Sequence, residues 1–317
     1  MISNNSRVVD VFAGGGGLSI GFGNAGFNIK AALDNWDPAI KFYEENFDHP
    51  IIKCDLGNVS QSVSLINKYN PNIIIGGPPC QDFSSAGKRN ENLGRADLTL
   101  SFAEIVTCIK PAYFVMENVA RALTSNAFAK AKQMFTDAGY GLSIRVLDAS
   151  LCGVPQIRKR LFVTGELNGT DNALDPYIES SLSTKRITVR EYLGDKIDTE
   201  YYYRHPRSYY RRAIFSIDEP SPTIRGVNRP IPSGYPGHPG DRSEIDENVR
   251  SLSTRERALI QTFPDNIKLT GSKTELEQII GNAVPVKLAE FVAKALSNYL
   301  VTKAGNIEKP RELANRA

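Results

Sequence analysis

Two residues able to do covalent and acid–base chemistry close apolar runs in this chain of 317 residues. "NIIIGGPPC" (72–80) carries three isoleucines into two glycines, two prolines and Cys80, and "AYFVMENV" (112–119) brings Glu117 to the end of a second run. A thiol attacks only as the thiolate, in a partly exposed, electropositive setting. A glycine–proline bend offers such a setting, whereas a packing cysteine needs no rigid loop. "PQIRKRLF" places Arg158 and Arg160 two apart, on one face of an extended segment. Arginine keeps its charge and so can stabilise a thiolate or anchor a phosphate or base oxygen. Taken alone, the two arginines read as surface charge beside a strand.

A ligand loop precedes these residues. In "DVFAGGGGLSIGF" the glycines Gly14, Gly15, Gly16 and Gly17 directly follow an apolar run, and Asp34 ends the next run 20 residues after Gly14. Glycine permits positive φ and close backbone approach to a ligand, and a carboxylate at that distance accepts hydrogen bonds from ribose hydroxyls. Gly21, Gly23 and Gly26 form a G-x-G-x-x-G. It falls within or after the first helix rather than between strand and helix, so a dinucleotide reading is rejected. The absence of a clean fingerprint in the loop favours an adenosyl ligand without a pyrophosphate. Asp55, ending a third apolar run, is a candidate for the adenine amino group or a plain turn aspartate.

The elements that must position these residues alternate. Strands are expected at "RVVDVFA", "FNIKAALD", "PIIKCD", "NIIIGG" and "AYFVMEN". Helices are expected at "LSIGFGNAG", "DPAIKFYEENF" with Asp37 as N-cap, 58–69, "DLTLSFAEIVTCIK" and 126–138. The strands "GLSIRVLDA" and "RLFVTGEL" follow. Near-continuous apolar strands alternating with helices imply an α/β, doubly wound, Rossmann-like parallel sheet covered on both faces. In the usual order 3-2-1-4-5, Cys80 and Glu117 face one crevice beside the glycine loop. After about residue 170 the pattern degrades. Residues 200–250 are rich in Pro, Gly, Arg and Tyr and suggest a second, irregular region. The amphipathic "VPVKLAEFVAKALSNYL" is expected to pack back on the first domain, before a polar tail, "AGNIEKPRELANRA".

Composition narrows the class. The four cysteines, Cys54, Cys80, Cys108 and Cys152, contain no C-x-x-C, and with only three histidines no zinc spacing arises. No apolar run suffices to span a bilayer and no signal-peptide pattern opens the chain, so a soluble, cytoplasmic protein is expected. Net charge is +3, but residues 201–230 concentrate six arginines and five tyrosines against Asp218 and Glu219. Basic, aromatic loops suit nucleic acid, and a solvated, snorkelling surface is the equal alternative.

These segments together resemble the cytosine-C5 DNA methyltransferases, over nearly the whole chain. "DVFAGGGG" is similar to that family's loop for S-adenosylmethionine, "GGPPCQDFS" to its Pro-Cys-Gln motif, "MENV" to its Glu-Asn-Val motif and "QIRKR" to its Gln-x-Arg-x-Arg motif. "RERALIQTFPD" and "GNAVPVKLAEFVAKAL" resemble its two C-terminal motifs, and all keep the family's order. The resemblance implies that Cys80 attacks cytosine C6, that Glu117 holds the N3 edge of the base, and that Arg158 and Arg160 orient the base and the Cys80 loop. It implies a cofactor site of Phe12, Ala13, Gly14 to Gly17, Asp34, Asn35, Asp55, Leu56, Pro79, Leu98, Asn282, Ala283 and Val284, with no metal. The family's carboxylate after strand two is usually Glu, here the shorter Asp34. A bulky residue usually follows it, where this chain has Asn35 and then Trp36. The resemblance further implies a catalytic domain of residues 1–175 completed by 276–317, and a target-recognition domain of 176–275. Arg225 and Arg229 are the candidates for DNA contacts. The expected enzyme is a monomeric bacterial modification methyltransferase acting on a short site in double-stranded DNA, often beside a restriction endonuclease. A tRNA methyltransferase of the same family and a non-catalytic DNA-binding module are the alternatives.

Overall fold

The computed structural model describes residues 5–79, 98–208 and 210–308. Eight strands and five helices occupy the first half. The strands are β1 (Val8–Val11), β2 (Ile29–Asp34), β3 (Ile51–Lys53), β4 (Ile73–Gly76), β5 (Tyr113–Val119), β6 (Tyr140–Asp148), β7 (Gln156–Ile157) and β8 (Lys159–Leu167). The helices are α1 (Gly17–Asn24), α2 (Asp37–Asn46), α3 (Val59–Asn67), α4 (Leu98–Ile109) and α5 (Asn126–Asp137). All but β7 join one sheet in the order β3-β2-β1-β4-β5-β8-β6. The expected order of the first five strands holds, so β4 and β5 are neighbours.

The sheet is mixed rather than all parallel: β8 runs antiparallel to both β5 and β6. The reason lies in the connection. Only ten residues separate β6 from β8 (149–158), with no helix long enough for a crossover, so the chain returns in a hairpin-like path. Side-chain alternation along the strands fills two cores. Val8, Ile73, Ile75 and Val115 face α1 and the C-terminal helix, while Val9, Val11, Ile74, Phe114 and Met116 face α4 and α5.

Local signals explain most boundaries. Asn58 and Ser125 cap α3 and α5 by accepting backbone N–H bonds. The expected Asp37 cap lies one residue too late: Trp36 is the cap, and Asp37, in the first turn, pairs with Lys53. The C-terminal helix α10 (Val286–Glu308), counted after the four helices given below, consumes part of the expected tail. It packs on α1 as expected. A Cβ at Gly21 would stand 2.5 Å from the Ala289 Cβ, so this glycine of the rejected G-x-G-x-x-G serves helix packing.

The second half contains α6 (Asp175–Glu179), α7 (Val189–Leu193), β9 (Tyr201–Tyr203), β10 (Ile214–Ser216), β11 (Ser221–Pro222), β12 (Arg250–Ser251), α8 (Thr254–Ile260) and α9 (Lys273–Asn282). A small sheet runs β10-β9-β12, and β11 pairs with β7 of the first half. Asp241 ties the loop over this sheet, accepting from the amides of Ala213, Ile214 and His238 and from the Tyr235 hydroxyl. One apolar cluster runs from Phe42 of α2 through Val189, Ile224 and Leu259 to Val286 of α10, so the two halves share a core.

One buried chain of polar groups lies under the glycine loop. The Ser19 hydroxyl donates to Asp10 at 2.7 Å, the Tyr43 hydroxyl donates to Ser19, and His49 Nε2 lies 2.6 Å from Tyr43. Burial, with a contribution from the Asp34 charge, pushes Asp10 up to about 7 despite the Ser19 hydrogen bonds. The unfolded carboxyl titrates near 4. The folded state therefore holds its proton more tightly, and stability falls as pH rises from about 4 to about 7, by about 1.4 kcal/mol per pH step inside that window. Asp10→Asn is expected to flatten that fall in thermal melts recorded from pH 4 to 8. Equal pH dependence in both proteins would refute the assignment.

Candidate active site

The carboxyl ends of β1, β2, β3 and β4 open into one cavity of about 290 Å³. Phe12, Ala13, Gly14, Gly15 and Gly17 form its floor, and Asp34, Asn35, Trp36, Asp55 and Leu56 one side. Pro79, Leu98 and Glu117 edge it, and α9 and its exit close it with Gln278, Ile279, Asn282, Ala283 and Val284. Every residue expected at the cofactor site lines this cavity except Gly16. That glycine has φ 73°, and a Cβ there would overlap the rings of Phe47 and Tyr43, so it serves packing beneath the loop. Gly17 is needed for another close approach, since a Cβ would overlap the Val284 carbonyl oxygen. Phe12 sits at φ 58°, a left-handed conformation that a bulky residue adopts only where its surroundings impose it.

Asp34 is held by three backbone amides. Gly14 N–H donates to Oδ2 at 2.8 Å, and Asn35 and Trp36 donate to Oδ1. The carboxylate thus fixes the glycine loop and lines the cavity. Asp55 also has a turn role, accepting from Gly57 N–H at 3.0 Å. Both Asn35 and Trp36 line the cavity. Two carboxylates at strand ends, aromatic Phe12 and Trp36, and apolar Leu56, Pro79 and Ile279 suit an adenosine with a polar tail. The volume lies close to the lower end for small-molecule sites.

Glu117 comes from β5 and is 8 % exposed. Its Oε1 pairs with Arg160 Nε at 2.8 Å. Burial outweighs the charges of Arg160 and Arg158, and its carboxyl sits above the usual range. The neighbouring Asn118 reaches back to β4, its Nδ2 donating to Pro78 O at 3.3 Å while its Oδ1 accepts from Val119 N–H. Cys80 lies outside the described residues. Pro79, which precedes it, is on the cavity wall. Among the other cysteines, Cys54 and Cys152 are buried, and burial pushes the Cys152 thiol up to about 12, while Cys108 is exposed on α4. No group of side chains that could hold a metal occurs among the described residues.

Arg158 and Arg160 do different work. Arg160 meets Glu117, but Arg158 is 1 % exposed and does not line the cavity. Its guanidinium donates to Ile224 O at 2.8 Å, Gly281 O at 3.0 Å and Ala283 O at 3.1 Å. Arg158 is a buried brace behind the wall at 281–283, and its expected role in orienting the base and the Cys80 loop involves residues outside the described ones. Arg225 is half-buried and donates to His205 O, whereas Arg229 is exposed. Burial, with the nearby charges of Arg207 and Arg229, depresses the Arg225 guanidinium pKa.

Sequence reasoning missed Gln278 and Ile279, which stand four and three residues before Asn282 and so share its helix face. It also missed Asn118, Gln156 and Gln261, whose neutral side chains carry no signature until their partners are known.

The fold places the chain first in a class. The S. pombe Dnmt2 methyltransferase superposes with a TM-score of 0.69 at 18% identity, over 93% of this chain and 99% of that one. A mutant of Spodoptera frugiperda DNMT2 superposes with a TM-score of 0.68 at 19% identity, over 92% and 99%. The architecture is that of a Rossmann-like, S-adenosylmethionine-dependent methyltransferase. Residues 6–298 match the model of the C-5 cytosine-specific DNA methylases, and the chain belongs to that family. It is 57% identical to the type II methyltransferase M.HgiDI of Herpetosiphon aurantiacus, over 93% of this chain and 95% of that protein. It is 56% identical to M.HindV of Haemophilus influenzae, over 92% and 97%. The protein is a DNA cytosine-C5 methyltransferase, and the family implies S-adenosylmethionine as methyl donor. No helix among the described residues is long and apolar enough to cross a membrane.

Asn118→Ala frees the Pro78 carbonyl two residues before Cys80. A shift of about 1 Å in a reacting group costs on the order of 100-fold in rate. Single-turnover methylation is expected to slow by about 10- to 100-fold, with S-adenosylhomocysteine affinity within about twofold of the parent. Weakened cofactor binding at an unchanged rate would contradict this role.

Proposed function

We propose that this enzyme methylates C5 of one cytosine in a short DNA site, through a covalent bond between Cys80 and C6 of a base turned out of the duplex. One observation carries the reading. A single cavity joins the glycine loop, two strand-end carboxylates and the 282–284 wall to Glu117 and to Pro79, the residue before Cys80. On this reading Phe12 to Gly15 and Gly17 cradle the cofactor, Asp34 meets its ribose, and Asn35, Trp36, Asp55 and Leu56 surround its adenine. Pro79, Leu98 and Asn282 to Val284 complete the enclosure. Bound S-adenosylmethionine supplies an electrophilic methyl group there.

Cytosine C5 is too weak a nucleophile unaided. Addition of the Cys80 thiolate to C6 moves the ring electrons toward C5, and covalent catalysis divides the difficult step. Glu117, whose carboxyl burial holds above the usual range, donates a proton to N3 in this step and offsets the charge that develops in the ring. Arg160 holds the Glu117 carboxyl in place. Once C5 is methylated, loss of its proton drives out the Cys80 sulfur and restores the aromatic ring. The target atoms are out of reach in a stacked duplex, which is why the base must leave it.

Residues 1–175 with 276–317 serve catalysis, and 176–275 read DNA, with Arg225 and Arg229 near phosphates or base edges. The enzyme works as a cytoplasmic monomer, protecting DNA from a cognate restriction endonuclease of the same site.

Bisulfite sequencing of DNA from a host expressing the chain is expected to reveal one methylated short motif. Cys80→Ser abolishes it, and Cys54→Ser, at a buried thiol beside Ser62, retains it. Equal loss from both, or methyl incorporation into tRNA alone, would overturn the proposal. Because the protonated Glu117 is the working form and its pKa is raised, the turnover rate is expected to fall as pH climbs through that pKa. In Glu117→Gln, which cannot ionise, the fall disappears on a rate lowered about 100-fold. A parent-like pH profile in that variant would remove Glu117 from the proton role.

A further inference from the structure

The peptide of Ile224 is gripped at both ends from β7 and the residue after it. Its N–H donates to Gln156 Oε1 at 2.8 Å, and its carbonyl accepts from Arg158 Nη1 at 2.8 Å. The same two side chains continue to the cavity wall. Gln156 Nε2 donates to Gln261 Oε1 at 2.7 Å, and Gln261 donates in turn to Ile280 O and Ala283 O. Arg158 Nη2 reaches Gly281 O and Ala283 O. Gln156 and Arg158 are 0 % and 1 % exposed, so neither has surface to offer a ligand.

The chain beyond Ile224 lies against the back of α9. A Cβ at Gly281 would overlap the Arg225 carbonyl carbon, and one at Gly226 would come 3.3 Å from Gln278 Cα. Arg257 and Glu277 form a buried ion pair behind it. Arg257 also donates to Arg225 O, and Asn228 Nδ2 donates to Glu277 at 3.1 Å. Gln278 and Asn282 of the same helix line the cavity. Val227 and Arg229 point outward and are exposed.

We propose that Gln156 and Arg158 are positioning residues for target recognition. They hold the DNA-reading segment that starts at Ile224 in register with the wall at 280–283, so discrimination between DNA sites depends on two buried side chains that touch neither DNA nor cofactor. The inference rests on the methyltransferase reading and adds to it a specific division of labour. Directional hydrogen bonds in a buried polar network restrict the arrangement of the backbone segments it joins, even with Arg158 Nε unpaired among the described residues, whereas an apolar contact tolerates sliding. Losing the grip on Ile224 therefore shifts Arg225 to Arg229 as a unit, and the wall at 280–283 loosens with it.

The test uses the full-length protein and two substitutions. Gln156→Met fills the site without the two hydrogen bonds. Gly226→Val keeps the network and wedges the segment off α9. Methylation of unmethylated plasmid DNA is read by bisulfite sequencing for site preference, with kinetics for KM and kcat and calorimetry for S-adenosylhomocysteine. Both variants are expected to raise KM for DNA and to lower the preference over single-mismatch sites by about tenfold, with kcat at saturating DNA changed far less. Gln156→Met is expected to weaken S-adenosylhomocysteine binding in parallel. Folded variants with the parent's site preference and KM for DNA would overturn the inference while leaving the function intact. If the methionine variant does not fold, Gln156→Asn, which is too short to hold both Ile224 N–H and Gln261 Oε1, replaces it with the same expected and overturning results. A parent protein that methylates no DNA would overturn the functional reading, and this inference with it.

Discussion

The guanidinium of Arg158 is a full charge withdrawn from water, and its cost is offset by carbonyl oxygens brought to it from two distant segments and by the nearby Glu117 charge. Ile224 and the 281–283 stretch must both arrive for the charge to be tolerated. The buried pair of Gln156 and Gln261 imposes the same requirement through neutral groups. A cavity wall built from the C-terminal part of the chain is thereby locked to a sheet built from the N-terminal part. The glycine loop, the strand-end carboxylates and Glu117 would otherwise face an open groove. The parallel pairing of β7 with β11 and the shared apolar core from Phe42 to Val286 reinforce the closure.

The buried Arg158 and Arg257 and the partly buried Arg160 are accommodated in different ways. Arg257 is neutralised by Glu277 and serves structure. Arg158 is hydrogen-bonded to carbonyls and serves structure at a joint. Arg160 has Glu117, at the cavity edge, where neither partner is free of the other. That pairing explains why a carboxyl with a cation at hydrogen-bond distance still sits above its usual range: burial disfavours the ionised form more than the arginines favour it. Arg225 stands apart: half-buried, it donates to His205 O, and burial together with the charges of Arg207 and Arg229 lowers its guanidinium pKa.

Much of the architecture was legible because it rests on periodicity. The alternation of apolar runs and amphipathic helices, the glycine loop after β1 and the aspartates after β2 and β3 identify a doubly wound sheet and one ligand edge. The antiparallel course of β8 was not legible, since strand direction follows from how the chain returns and not from strand composition. Gly16 looked identical to its neighbours, and only the rings of Tyr43 and Phe47 beneath it separate packing from ligand approach. Arg158 and Arg160 likewise share residue type and face, and their partners alone distinguish a brace from a site residue.

What the sequence by itself determined was the inventory and its order: a cysteine after two glycines and two prolines, a carboxyl ending a later apolar run, two arginines and a ribose-type carboxylate. Local rules suffice for these, because a turn, a cap or a strand face involves residues a few positions apart. What only the tertiary structure decided was which segments meet. Ile224 lies 66 residues from Arg158 and Ala283 lies 125 residues from it. Hydrogen bonds to backbone carbonyls leave no trace in the identity of the residue that supplies them. Cavity closure and the register of the segment that starts at Ile224 depend on such bonds, and so they emerge only when the chain has folded.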